Sequence, residues 1–252
     1  MTAPAASRPA PSSPAPHALA AFLPYLLVAG FHLAMLAADL DDAARISKLL
    51  LMPTLALAVV LVVRPRRSRA ALLLLAGVLF SWGGDAPLTI PGDGWFVFGL
   101  SSFLVAHLCY LALFAWGGLG LRAPRPWALV YLAWYGVLMV LLWPHLGGLA
   151  LPVAAYGLVL CAMAAVSSGL TPTVACGGAL FVVSDSLLAL NRFVPDYAFG
   201  LNDVAVMLSY IAAQGLIAWG VVVILRSRSA PGAGSDAGSR TPSAAAAAQP
   251  AE

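Results

Sequence analysis

Two aspartates stand inside segments that are otherwise apolar: Asp85 within FSWGGDAPL and Asp185 within GGALFVVSDSLLALNRF. A carboxylate that far into an apolar stretch is costly unless it is partnered or at work. A few polar residues accompany the two acids: Lys48 near one end of an apolar segment, Asp203 at the start of another, His107 midway through a third and Gln214 well inside the last. With Lys48 positive and three acids nearby, full ionisation would leave the group net negative at low dielectric. One aspartate is therefore expected to be neutral beside an ionised one. That pairing suits a reaction through an oxocarbenium-like cation, in which one acid donates a proton and the other stabilises charge or activates water. A lipid-facing chamber built this way suggests hydrolysis of an acid-labile ether or vinyl ether in a lipid. Paired intramembrane acids serve proton-coupled transport equally well, so a non-enzymatic lipid or small-solute transporter stands as the alternative.

Helical phase brings these residues together. Asp203, Met207, Tyr210 and Gln214 are spaced by four, three and four residues, which sets them along one stripe. Gly77, Ser81 and Asp85 repeat by fours, as do Gly177, Phe181 and Asp185. Small residues beneath each acid let neighbouring helices approach closely and turn the carboxylates inward. Both are expected on one cavity that opens toward one end of the bundle. Plainer roles stand beside these: Lys48 snorkelling to the interface, Asp203 with Asn202 capping a helix start, and His107 in an interhelical hydrogen bond. Asp85 and Asp185 have a structural alternative too, ion pairing to Lys48. Tyr25, His32 and Asp39 share a face of the first apolar segment and read as structural.

The elements that carry these residues follow from composition. Of 252 residues, 62% are hydrophobic and 9% charged, with a net charge of +3, against roughly 25% charged in soluble domains. Such a chain presents most of its exterior to lipid. The reading is an all-α polytopic membrane protein, a bundle of about eight transmembrane helices. The spans fall near Ala18–Ala38, Ile46–Val63, Ala70–Ile90, Trp95–Trp116, Pro126–Trp143, Gly148–Val166, Thr173–Leu190 and Phe199–Leu225. Continuous apolar runs exclude barrel strands, which alternate, and the first run is long for a signal-peptide core. Residues 1–17 and 226–252, rich in Pro, Ala, Ser and Gly, read as disordered cytoplasmic tails around a catalytic domain over 18–225. Scattered basic residues exclude nucleic acid. Arg64, Arg66, Arg67, Arg69, Arg122, Arg125, Arg226 and Arg228 fall on one set of loops, so that side and both termini are expected in the cytoplasm, the chain lying in the cell (inner) membrane. Trp95, Trp116, Trp127 and Trp143, near span ends, read as interfacial anchors.

No other chemistry is spelled out. His32 and His107 stand alone in their spans without HxxxH or HExxH spacing, so no metal is expected. No GxSxG elbow occurs, and Ser81, Ser184 and Ser186 flank the acids without a neighbouring histidine base. Cys109, Cys161 and Cys176 lie in apolar runs and read as small buried packing residues rather than a disulfide framework.

Several segments, in order, resemble the YhhN-like lysoplasmalogenase family of multi-pass membrane proteins: SKLLLMPTLALAV from Ser47, LFSWGGDAPL from Leu79, FGLSSFLVAHLCYLALF from Phe98, GGALFVVSDSLLALNRF from Gly177 and MLSYIAAQGLI from Met207. The resemblance implies an eight-helix hydrolase that cleaves the vinyl ether of lysoplasmalogens to a fatty aldehyde and glycerophosphoethanolamine or glycerophosphocholine. It implies Lys48, Asp85, His107, Ser184, Asp185, Tyr210 and Gln214 as pocket residues, and no redox or nucleotide cofactor. Partners would be the lysophospholipid substrate and membrane lipid; oligomeric state is left open.

Overall fold

The computed structural model describes residues 16–63, 68–197 and 200–229. Among them are eight α-helices: α1 Pro16–Ala37, α2 Asp41–Val62, α3 Arg69–Asp85, α4 Asp93–Trp116, α5 Leu129–Leu146, α6 Ala150–Ser167, α7 Pro172–Phe193 and α8 Asn202–Ser229. Seven helical stretches are long and apolar enough to cross a membrane, and one of these, Pro126–Ser167, has 42 residues. That stretch doubles back at Gly147, whose φ of +50° belongs to the region that favours glycine. Its two arms, α5 and α6, lie antiparallel, with the Tyr135 hydroxyl donating to the Ala154 carbonyl at 3.1 Å. The chain is thus an all-helical, multi-pass membrane protein with about the expected number of spans. Its outer surface fits lipid rather than water: Leu27, Val140 and Leu151 are 64%, 75% and 78% exposed. Trp95, Trp116, Trp127 and Trp143 are exposed as well.

Helix ends depart from the sequence reading for local reasons. α2 begins at Asp41, ahead of Ile46, because Asp41 and Asp42 in its first turn complement the positive end of the helix. α3 stops at Asp85 because Pro87 follows, and Pro87–Thr89 forms a short 3₁₀ turn. α8 continues to Ser229, so Arg226 and Arg228 are helical rather than part of a tail. The expected tail residues 1–15 and 230–252, and Arg64, Arg66 and Arg67, lie outside the described residues. α1 ends at Ala37, so Asp39 does not share its face with Tyr25 and His32; it sits in the following turn at φ +54°. The three cysteines are free; Cys161 is buried as expected, whereas Cys176 is exposed.

Glycine sets how closely the key helices meet. α7 and α8 form the most extensive pair in the bundle. A Cβ on Gly177 would stand 2.8 Å from Ile217 and 3.0 Å from the Ala213 carbonyl of α8. On α3, a Cβ at Gly77 would run into the Tyr110 ring of α4. The glycines about two turns beneath the acids therefore do admit neighbouring helices, as their spacing suggests.

Candidate functional site

Asp85 closes α3 with 2% of its surface exposed. Tyr210 of α8 donates to its Oδ2 at 2.8 Å, and Lys48 Nζ of α2 lies 4.0 Å from Oδ1. A ladder of polar groups continues below it. Gln214 donates through Nε2 to Ser81 at 2.8 Å, Tyr110 donates to Gln214 Oε1 at 2.6 Å, and Ser81 donates to the Gly77 carbonyl at 2.9 Å. Every member has a partner, which holds α3, α4 and α8 in register and fixes the Asp85 carboxyl.

Asp185, on α7, accepts a short hydrogen bond from the Tyr156 hydroxyl of α6 at Oδ2. Among the described residues no lysine or arginine stands within ion-pair distance of it. It lies on the wall of a narrow apolar cleft between α4, α5, α6 and α7, with Phe103, Trp134, Leu138 and Leu142 among its lining. Trp134 Nε1 donates to Ser186 at 2.9 Å and ties α5 to the acid-bearing helix.

An aromatic layer joins the two acid–tyrosine pairs. His107 of α4 meets the Tyr156 ring edge-on at 5.4 Å and the Phe181 ring at 4.6 Å. Phe181 in turn meets Tyr210 at 5.6 Å, and Phe103 meets Tyr210 at 5.9 Å. His107 makes no interhelical hydrogen bond; its Nδ1 lies 2.7 Å from the Phe103 carbonyl one turn back on its own helix. A carbonyl only accepts, so Nδ1 carries the proton and Nε2, buried without a partner, presents its lone pair.

The single cavity expected for both acids is two clefts. Asp185 lines the apolar one. Asp85 is reached through Lys48, which lines a polar cleft of about 910 Å³ with His32, Asp41, Arg45 and Asp203. Leu88 and Leu188 line both clefts. The reason lies in Pro87: ending α3 directly after Asp85, it turns Leu88 into the space between them. Asp203 is exposed at the polar rim, in the first turn of α8 beside Asn202, whose Nδ2 donates to it at 3.4 Å. Ser184 donates across to the Val206 carbonyl of α8 at 3.1 Å, so its hydroxyl is engaged with backbone. Lys48, Tyr210 and Gln214 gather around Asp85. Sequence reasoning missed Tyr110, Tyr156 and Trp134. The available signal was a polar tip in mid-span, since a buried tyrosine or tryptophan must find a partner. Among the described residues no three His, Cys, Asp or Glu side chains are grouped to hold a metal.

A family model, the YhhN family, matches residues 43–221, which carry both acids, Lys48, His107, Tyr156, Tyr210 and Gln214, though not His32 and Asp41 of the polar cleft. The chain belongs to the YhhN family. The chain is also similar to several curated proteins. A protein named "Lysoplasmalogenase" from Mycobacterium bovis is 37% identical over 160 residues, covering 58% of this chain and 59% of the relative. "Lysoplasmalogenase TMEM86B" of Rattus norvegicus is 36% identical over 145 residues, with 58% and 59% covered. "Lysoplasmalogenase TMEM86A" of Homo sapiens is 32% identical over 165 residues, with 61% and 66% covered. The matched part of the chain thus spans about three fifths of the length of such YhhN relatives. No solved structure matches the chain.

Proposed function

We propose that this chain is a membrane hydrolase that cleaves the vinyl ether of lysoplasmalogens by two-carboxylate acid–base catalysis. The observation that carries this reading is a pair of tyrosine-held carboxylates, one beside a lysine and one on an apolar cleft, joined by one aromatic layer. The names of the YhhN relatives support the substrate class, and favour an enzyme over the transporter reading. The alkenyl chain lies in the apolar cleft and the glycerophospho head in the polar one. Asp185, with no cation at hand, donates a proton to the vinyl carbon next to the one bearing oxygen, which leaves an oxocarbenium ion. Asp85, with Lys48 as counter-ion, stabilises that charge and takes a proton from the attacking water. The resulting hemiacetal breaks its carbon–oxygen bond to the glycerol as Asp85 returns its proton to the departing glycerol oxygen and the hemiacetal hydroxyl gives its proton to Asp185, giving fatty aldehyde and glycerophosphoethanolamine or glycerophosphocholine with both acids restored. In sum one water is consumed and no redox change occurs. Tyr156 and Tyr210 hold the carboxyl groups at fixed angles, and His107 and Phe181 fill the space between the two rings edge-on.

Purified protein in detergent is expected to release fatty aldehyde from a lysoplasmalogen with no ion gradient and with chelator present. Absence of aldehyde under those conditions, with gradient-dependent uptake in vesicles, would support a transporter instead.

The same reading places the chain in the cell (inner) membrane with both termini in the cytoplasm. Arginines 64, 66, 67 and 69 then face inward and Asp39, Asp41 and Asp42 outward. Single cysteines placed in the 64–69 loop are expected to resist impermeant thiol reagents in intact cells, while those at 39–42 react. The reverse pattern would invert the map.

A further inference from the structure

The polar cleft contains a group that the proposed chemistry leaves idle. His32 of α1 lines it and is itself 1% exposed. Its Nδ1 lies 2.9 Å from Ser47 Oγ. The single hydroxyl hydrogen of Ser47 is directed at the carbonyls of Ala43 at 2.8 Å and Ala44 at 3.0 Å. Ser47 can then only accept from the imidazole, so Nδ1 carries the proton and Nε2 presents a lone pair in the neutral ring. Nε2 is buried and has no partner. An acceptor left this way at the wall of a ligand cleft calls for a donor from the ligand.

Resting on the lysolipid reading above, we infer that His32 Nε2 accepts a hydrogen bond from the free secondary hydroxyl of the substrate glycerol, and so selects lysolipids. The donor inventory of the substrate points to that group. Phosphodiester and vinyl ether oxygens only accept, the hydrocarbon chain donates nothing, and a choline head has no N–H. The glycerol hydroxyl is the donor common to the class, and it sits between the phosphate and the ether. The cleft matches that order. Arg45 and Lys48 supply positive charge for the phosphate, Asp41 and Asp203 supply negative charge for a head ammonium, and all line the same cleft as His32. Ser47, which fixes the ring, directly precedes Lys48, whose ammonium is 4.0 Å from Asp85. A hydroxyl held by His32 therefore lies in the cleft that Lys48, the counter-ion of Asp85, also lines. An esterified lipid lacks this hydrogen and leaves the buried nitrogen unsatisfied.

The test compares two substrates that differ in this one group: a 1-alkenyl-2-hydroxy glycerophosphocholine and its 2-deoxy counterpart. The unaltered protein is expected to favour the hydroxyl substrate by about ten- to a hundredfold in kcat/KM, the range set by leaving a buried acceptor unpaired. In His32→Leu the preference is expected to fall to about twofold or less, and His32→Gln, which restores an acceptor, is expected to recover part of it. Should His32→Leu fail to fold, Ser47→Ala keeps the ring but frees its tautomer, and is expected to narrow the preference. The ratio separates recognition from a structural role, because damage to the fold lowers turnover of both substrates alike. Equal use of the two substrates by the unaltered protein overturns the inference, as does an undiminished preference in His32→Leu or Ser47→Ala. Failure of the unaltered protein to cleave either substrate overturns the proposed function itself, and this inference with it.

Discussion

Asp185→Asn protein is expected to insert as a folded bundle and to release aldehyde at least about a hundredfold more slowly than the unaltered chain, since general acid–base assistance is typically worth 10²–10⁴-fold. Asparagine keeps the shape of the side chain and can still meet Tyr156, so the helix contacts of α7 survive. It offers neither a proton nor a negative charge to the cleft. Asp85→Asn is expected to fall as far for a different reason: the cation loses its stabilising charge and the water loses its base. Because the two groups act on one intermediate, the double variant is expected to be little worse than the poorer single one. Aldehyde release from purified, monodisperse protein measures all three. Near-normal turnover by Asp185→Asn would refute the two-carboxylate mechanism and move the transporter reading ahead. So would losses that simply multiply in the double variant, because independent contributions are not what a shared intermediate gives.

Gly177→Val is expected to cost the fold rather than the chemistry. The first added carbon already meets Ile217 and the Ala213 carbonyl at 2.8 and 3.0 Å, and a helical backbone cannot yield as a flexible side chain can. Overpacking of this kind typically costs about 1–3 kcal/mol and sometimes more, a large share of the margin on which a folded chain depends. The contrasting position is Gly136 on α5, where nothing lies within 4 Å of a new Cβ. Gly136→Ala is expected to be neutral or to stabilise, by up to about 1 kcal/mol, because alanine loses less backbone freedom in a helix. Thermal unfolding in detergent, followed by loss of the monodisperse elution peak, compares the two. Equal melting of Gly177→Val and the parent chain would show that α7 and α8 are not set apart by this glycine.

What could be read in advance follows from which signals are carried along one helix and which need two. Continuous apolar runs marked the spans, with a break between Trp143 and Gly148 separating the fifth from the sixth. Depth singled out Asp85 and Asp185, because a carboxylate inside an apolar run is legible without a partner. The stripe of Tyr210 and Gln214 was legible from spacing on α8 alone. The groups they bond were not. α4 is apolar on every side, so nothing in its sequence tells which face carries Tyr110 or His107, and the ladder through Ser81 and Gln214 exists only once α3, α4 and α8 are set side by side. Tyr156 lay in a span with no other polar mark. The division into two clefts depends on where Leu88 goes after Pro87 stops α3, a matter of turn geometry that helical periodicity does not address.

The hairpin of α5 and α6 bears on how the protein is made. Between Arg125 and Arg192 the only charged residue is Asp185, so the hairpin and its turn at Gly147 enter the bilayer without carrying an ion across it. Its direction of insertion is not written in its own turn; in the proposed topology it is set by the arginines at 122 and 125, which are expected to stay on the cytoplasmic side. Synthesis proceeds from the N-terminus, so α6 is in place before α7 emerges. When Asp185 arrives, the Tyr156 hydroxyl is already at that depth. The acid that the chemistry calls for thus reaches hydrocarbon with its hydrogen-bond donor waiting, and its delivery into the membrane is eased by the helix translated just before it.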